Sequence, residues 1–199
     1  MARRKLLSKK NISLFTTILA LIIAFGQTQG WWQFAQPATD SVKQTATETQ
    51  PGLYAIDHFV DGDTIAVKMN GKTESVRMIG VDTPETHKPN SPVQCYGPAA
   101  AAYTKNLIGN NKVRLEADPT NQNRDRYDRL LRYVYLPDNR LVNKELVANG
   151  YGFAYTSFPF TKKDEFVAAE KQAETGAKGL WVNCTVTTEP SGRKQTNNQ

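Results

Sequence analysis

The sequence predicts an α+β fold: a five-stranded β-barrel of the OB type with three helices, preceded by an N-terminal hydrophobic segment. Three observations predict it. Apolar residues alternate with period two from Tyr54 to Val81, broken at Asp61-Gly62-Asp63 and at Asn70-Gly71. An Ala-rich helical pattern follows this meander. Two more strand patterns and two more helical patterns then complete the chain, an order that suits a small closed barrel.

The elements follow in chain order. Residues 1–30 hold Arg3, Arg4, Lys5, Lys9 and Lys10, then "ISLFTTILALIIAF", Ile12 to Phe25, without a charge. Such a run is short for a membrane span of about 20 residues and fits a signal peptide. The other reading is an uncleaved anchor extended to "WWQF", with Trp31, Trp32 and Phe34 at the interface. Residues 31–52 are largely polar and Thr/Gln-rich, the composition of a flexible linker. The folded domain is expected over 53–184, and 185–199 is expected to be a disordered tail.

Within the domain, strands are expected at about 54–60, 64–69 and 73–81, with Asn70-Gly71 as the hairpin turn between the last two. "GPAAAAYTKNLIG", Gly97 to Gly109, reads as a helix with Pro98 at its start and glycine at its end. "KVRLEAD" and "LLRYVYLPDN" read as strands. "VNKELVANG" is a short helix stopped by Gly150. "TKKDEFVAAEKQAETGAKGLW" is an amphipathic helix with Phe166, Ala169 and Ala173 on one stripe.

The formal charge of +6 says little about a substrate, because five of the positive charges sit in the leader. From Leu53 onward, 19 Lys/Arg face 17 Asp/Glu. Two cysteines, Cys95 and Cys184, behind an export signal suggest a disulfide; two buried thiols are the alternative. A structural zinc site is disfavoured, since no paired Cys/His spacing exists.

The chemistry concentrates in "VDGDT" and "VRMIGVDTPET". Asp63 enters the second strand and Asp82 leaves the third. They are not ladder partners by count, but a bulge or barrel bend brings them to one end. Two hard carboxylates with a backbone carbonyl and water suit Ca²⁺. Pro84 stiffens the chain before Glu85, which is placed to activate a water. Arg77 and Arg129 offer guanidinium forks for a phosphate. Together these are the parts needed to hydrolyse a phosphodiester. Singly, each has an ordinary role: "DGD" is common turn chemistry, and a strand arginine is often a cross-strand ion pair.

"VDGDT", "VRMIGVDTPET", "CYGPAAAAYTKNLI", "DRYDRLLRYVY", "VNKELVANGYG" and "GLW", in this order and spacing, resemble the staphylococcal nuclease (thermonuclease) family from about Tyr54 to Cys184. The resemblance implies a Ca²⁺-dependent nuclease that cleaves DNA and RNA with little sequence preference and leaves 3′-phosphate ends. It implies Asp63, Asp82 and the Thr83 carbonyl as metal ligands, Glu85 acting on the water, and Arg77 and Arg129 on the scissile phosphate. It further implies Asp61 as an acid beside the metal site, and Arg126, Tyr127 and Tyr155 as nucleotide contacts. Two positions depart from the family pattern. Asp128 stands where glycine is usual, which adds a negative charge beside Arg129. The second of a later tyrosine pair reads as Phe158 or Ser157.

The expected protein is therefore extracytoplasmic, secreted or anchored to the membrane by its leader, and nothing argues against a monomer. The competing reading is a non-catalytic OB-fold module that binds nucleic acid at the cell envelope.

Overall fold

In the computed structural model, which describes residues 52–86 and 92–198, the chain opens with three antiparallel strands. These are β1 (Leu53–Asp61), β2 (Thr64–Met69) and β3 (Lys72–Met78). Asn70 and Gly71 take φ of 50° and 76° between β2 and β3, the double left-handed turn that Asn-Gly favours. After β4 (Val81–Asp82) come helix α1 (Gly97–Ile108), β5 (Val113–Glu116) and β6 (Leu130–Tyr135). The barrel closes in the order β1-β2-β3-β6-β5, with β3 and β6 parallel and β1 pairing back to β5. This is the five-stranded barrel the sequence predicts. The leader and all of the linker except Gly52 lie outside the described residues. No helix among the described residues is long and apolar enough to cross a membrane.

Helices α2 (Val142–Ala148) and α3 (Lys163–Thr175) close the barrel, with β7 (Phe153–Ala154) between them and the short α4 (Leu180–Asn183) behind. Ile65, Val67, Val76, Leu130 and Val134 from the strands are fully buried. Val142 and Leu146 of α2 and Phe166 of α3 are equally buried and belong to the same apolar cluster. Each such side chain contributes about 1.5–3 kcal/mol. The stripe Phe166, Ala169, Ala173 is buried as its helical spacing predicts.

Two elements end earlier than expected, for the same reason. The third strand does not run to Val81: it stops at Met78, and the chain turns at Ile79-Gly80, where Gly80 has φ +77°. A Cβ there would come within 2.8 Å of the Phe160 ring. Asn143, buried in α2, donates to the Ile79 carbonyl at 2.9 Å and accepts from Val134 N–H at 2.9 Å, which locks that turn. The last helix breaks after Thr175, where Ala177 and Gly179 take φ of 47° and 54°. Tertiary packing overrides strand alternation at the first place and helical periodicity at the second, where a Cβ on Gly179 would run into the Gly150 carbonyl.

Cys95 and Cys184 form the expected disulfide, spanning 89 residues. Closing so long a loop is worth about 4–5 kcal/mol in the chain-entropy model. The bridge also roots an element the sequence does not predict. Where a disordered tail is expected from residue 185, the structure has a hairpin of β8 (Val186–Thr188) and β9 (Lys194–Thr196). Cys95 N–H donates to the Asn197 carbonyl at 2.7 Å, and Thr196 Oγ1 donates to the Cys95 carbonyl at 2.8 Å. With its root held beside Cys95 by the disulfide, the hairpin pairs without a further long loop closure.

Asp118 ties the start of the β5–β6 connection to the approach to α3. Its Oδ1 accepts from Thr120 N–H and Oγ1, and its Oδ2 from the Tyr133 hydroxyl at 2.6 Å and from Thr161 N–H and Oγ1. Burial pushes this carboxyl up, but the hydrogen bonds from Thr120, Thr161 and Tyr133 outweigh it and hold it well below the usual range. A depressed acid stabilises the fold above its unfolded pKa of about 4, and that stability is lost as pH falls below it. Asp118→Asn is expected to cost about 1.5–3 kcal/mol in urea unfolding at pH 7, because one oxygen becomes a donor facing donors. The variant should also lose less stability than the parent between pH 5 and pH 3; an equal acid slope would remove Asp118 from this role.

Candidate active site

The β2–β3 register sets Thr64 opposite Arg77, so Asp63 stands just beyond the ladder at the Arg77 level. The turn at Ile79-Gly80 then folds β4 back toward the same place, where it pairs with β7 through Val81↔Ala154 and Asp82↔Phe153. Arg77 is the centre of what results. Its Nη1 lies 2.7 Å from Asp63 Oδ2 and donates to the Val81 carbonyl at 2.8 Å, while Nη2 lies 2.9 Å from Asp82 Oδ1. Arg77 is only 13% exposed, and both carboxylates are comparably buried. Asp63 also accepts from Thr83 N–H at 2.9 Å and from Thr64 Oγ1 at 3.0 Å. One guanidinium thus bridges two acids that lie 19 positions apart in the chain.

Burial pushes the Asp82 carboxyl above the usual carboxylate range; Arg77 pulls it down, and the Asp63 charge pushes it up again. Two buried carboxylates this close favour any added positive charge. Thr83 is buried against Gly62, where a Cβ would meet Thr83 Oγ1 at 2.7 Å. That hydroxyl has no hydrogen-bond partner among the described residues. The oxygens that could hold a cation here, from Asp63, Asp82 and the Thr83 carbonyl, are the hard donors a hard cation takes. Among the described residues no group of three or more His, Cys, Asp or Glu side chains is disposed to hold a metal. Any cation there would draw the rest of its shell from main-chain oxygen and water.

Glu85 is fixed at its backbone by a reciprocal pair: its N–H donates to Gln94 Oε1 at 2.8 Å, and Gln94 N–H donates to its carbonyl at 2.9 Å. Its carboxyl hydrogen-bonds with that of Asp61. Asp61 Oδ1 accepts from Gly62 N–H at 2.8 Å and from Thr86 Oγ1 at 2.9 Å. Burial, and then the hydrogen bond with Glu85, push the Asp61 carboxyl up to about 6. Asp61 therefore holds a proton below that pH.

Arg129, Arg126 and Tyr127 come from the β5–β6 connection, not from the acid cluster. The parallel β3–β6 register pairs Arg77 with Leu131, two residues past Arg129. Arg129 is engaged by its own loop: Nε donates to Asp125 Oδ2 at 2.8 Å, and Nη2 lies 2.7 Å from the same oxygen. Burial pushes Asp125 up, but the Arg129 hydrogen bonds dominate and leave it below the usual range. Tyr127 is 63% exposed, with the guanidiniums of Arg126 and Arg129 within 4.7 and 5.3 Å of its ring centre. Asp128 takes φ 63°, the conformation that favours glycine, and its carboxylate is 88% exposed beside Arg124 Nε at 3.7 Å. The extra negative charge is directed to solvent and Arg124. Tyr155 is held by a hydrogen bond from its N–H to the Gly80 carbonyl at 2.9 Å, with its ring 5.9 Å from that of Phe158.

Sequence reasoning missed Asp125 as the partner of Arg129, and it missed Arg193. The latter, at the tip of the β8–β9 hairpin, places Nε 2.9 Å from Asp82 Oδ2. Part of the signal was present: "TVTT", a β-branched run, leads into the Pro-Ser-Gly turn of "EPSG", although "RKQT" beyond it is polar.

A family model described as staphylococcal nuclease homologue matches residues 75–183. The chain is 46% identical over 131 residues to a thermonuclease of Staphylococcus hyicus, covering 65% of this chain and 76% of that protein. It is 40% identical over 140 residues to a thermonuclease of Staphylococcus intermedius, covering 70% and 82%. It is 44% identical over 128 residues to endonuclease YncB of Bacillus subtilis (strain 168), covering 63% and 60%.

Proposed function

This chain belongs to the staphylococcal nuclease family, and on that premise we propose that it is an exported or membrane-anchored Ca²⁺-dependent nuclease. It hydrolyses phosphodiester bonds in DNA and RNA with little sequence preference and leaves 3′-phosphate ends. The observation that supports this most is Arg77 bridging the buried Asp63 and Asp82, with the Glu85–Asp61 pair a few residues away. Burying two carboxylates beside one guanidinium is costly for a fold and useful to a phosphate site.

Asp63, Asp82 and the Thr83 carbonyl would hold the cation, which supplies charge stabilisation to a phosphoryl oxygen. Glu85 accepts the proton of a water that attacks phosphorus in line. Arg77 and Arg129 hold the phosphoryl oxygens as their negative charge grows. The new bond joins the water oxygen to phosphorus. The bond to the 5′-oxygen breaks, that oxygen takes a proton, and the phosphate stays on the 3′ side. Tyr127 and Tyr155 offer rings to the bases, and Arg126 adds charge beside the Tyr127 ring. The Cys95–Cys184 bridge supports an oxidising, extracytoplasmic location. The chain is proposed to act as a monomer, with residues 1–30 as signal or anchor and 31–52 as tether.

Denatured DNA and RNA are expected to be cut in Ca²⁺, spared when a chelator is in excess, and cut again when Ca²⁺ is restored. Fragments should carry 3′-phosphates that phosphatase removes. Retention of either polymer without cutting would instead make the chain a binding module of OB type.

A further inference from the structure

Asp82 carries an arginine on each oxygen, and the two are held differently. Arg77 on Oδ1 is anchored by the Val81 carbonyl and by Asp63 as well. Arg193 on Oδ2 makes, among the described residues, that one side-chain hydrogen bond, from Nε, and is 48% exposed. A guanidinium has five N–H donors, so most of this one is uncommitted. The Asp82 charge holds it more firmly protonated than usual.

The hairpin that presents Arg193 is fastened both at its root and beside its tip. The disulfide fixes its root, Thr196 bonds to the Cys95 carbonyl, and Lys194 Nζ pairs with Glu170 Oε2 at 2.7 Å. The tip therefore has a fixed reach. Between it and the segment after β7 lies a cavity of about 130 Å³, lined among others by Asp82, Tyr155, Ser157, Ser191 and Arg193. It borders the proposed site through Asp82, and the hairpin lies beyond the 75–183 stretch matched by the family model.

We propose that Arg193 is a further substrate-binding residue, whose guanidinium transfers from Asp82 to a nucleic-acid phosphate seated in this cavity, next to the scissile one. The inference rests on the nuclease reading of the site. Arg77, anchored on three oxygens, stays on Asp82 and meets a phosphate with its remaining N–H groups. Arg193 is half exposed, singly held, and faces a polar cavity bordered by Tyr155, an aromatic ring suited to a base. A phosphate offers the fork two oxygens in place of the one it leaves. The exchange is favoured when a cation claims Asp82, so cation and strand would bind cooperatively through this residue.

The test measures binding of a fluorescein-labelled single-stranded oligodeoxynucleotide by anisotropy in Ca²⁺, with Glu85→Gln present to suppress cutting. Adding Arg193→Ala is expected to weaken binding by about tenfold or more. It should also reduce the slope of log affinity against log salt by about 0.7, the loss of one phosphate contact on a single strand. Arg193→Lys should keep the slope and recover only part of the affinity, because an ammonium lacks the fork. Unchanged affinity and slope in Arg193→Ala would overturn the proposal. So would unchanged oligonucleotide binding with tighter Ca²⁺ binding by calorimetry, which would make Arg193 only a competitor for the cation site. Equal loss of affinity and of thermal stability in both variants would reduce it to a structural pin. If Glu85→Gln alone holds no oligonucleotide, the nuclease reading itself falls, and this inference with it.

Discussion

Arg77→Ala is expected to lose on the order of 10³–10⁵-fold in phosphodiester cleavage, the range seen when an arginine that stabilises phosphoryl transfer is removed. The same change should show in stability, which separates this site from an ordinary surface ion pair. Arg77 bridges two buried carboxylates at 2.7 and 2.9 Å. Removing one partner of such a buried pair costs about 3–5 kcal/mol. The lower end applies, because Thr83 N–H still serves Asp63 and Arg193 still serves Asp82. Urea unfolding in chelator should show that loss. Adding Ca²⁺ should recover part of it, since a cation at the same carboxylates replaces the missing charge, while cleavage stays low. A variant with the parent's midpoint in chelator, or one that cuts denatured DNA at the parental rate, would remove Arg77 from the centre of the site.

Glu85→Gln isolates proton transfer from everything else. The amide keeps the size and the backbone pairing with Gln94, which uses main-chain atoms of Glu85. It cannot accept a proton from water. Cleavage is expected to fall by about 10²–10⁴-fold, the usual contribution of a positioned general base. Stability should change by no more than about 0.5 kcal/mol, since the side chain is partly exposed and the amide oxygen can still accept from Thr86 N–H. Ca²⁺ affinity by calorimetry and oligonucleotide affinity by anisotropy should stay near those of the parent. Parental cleavage by this variant would assign the base to another group, and Asp61, hydrogen-bonded to Glu85, would be the first to replace. The two variants are expected to part on stability: Arg77→Ala loses both fold and chemistry, Glu85→Gln chemistry alone.

Much of this was legible in the chain. The Asn70-Gly71 turn, the alternating strands on either side of it, and the buried stripe of Phe166, Ala169 and Ala173 all follow local rules. So does the likeness of "VRMIGVDTPET" to one family. Boundaries were less legible. The third strand stops at Met78 because Phe160, from far along the chain, packs where a Cβ of Gly80 would sit. The tail read as disordered because its composition is polar, yet it folds once the disulfide roots it and Lys194 finds Glu170. Arg129 was read as a companion of Arg77; its immediate partner is Asp125, four residues back in its own loop.

The sequence by itself determined the barrel, the order of its five strands and main helices, and the kinds of side chain brought to the site. Those depend on short-range periodicity, turn chemistry and residue type, which are written locally. Only the tertiary structure decided that Arg77 spans Asp63 and Asp82, that Asp61 meets Glu85, and that Arg193 reaches Asp82 from 111 positions away. Such contacts arise when a closed barrel and a fixed hairpin bring distant charges together out of water, and no local pattern encodes which charges those will be.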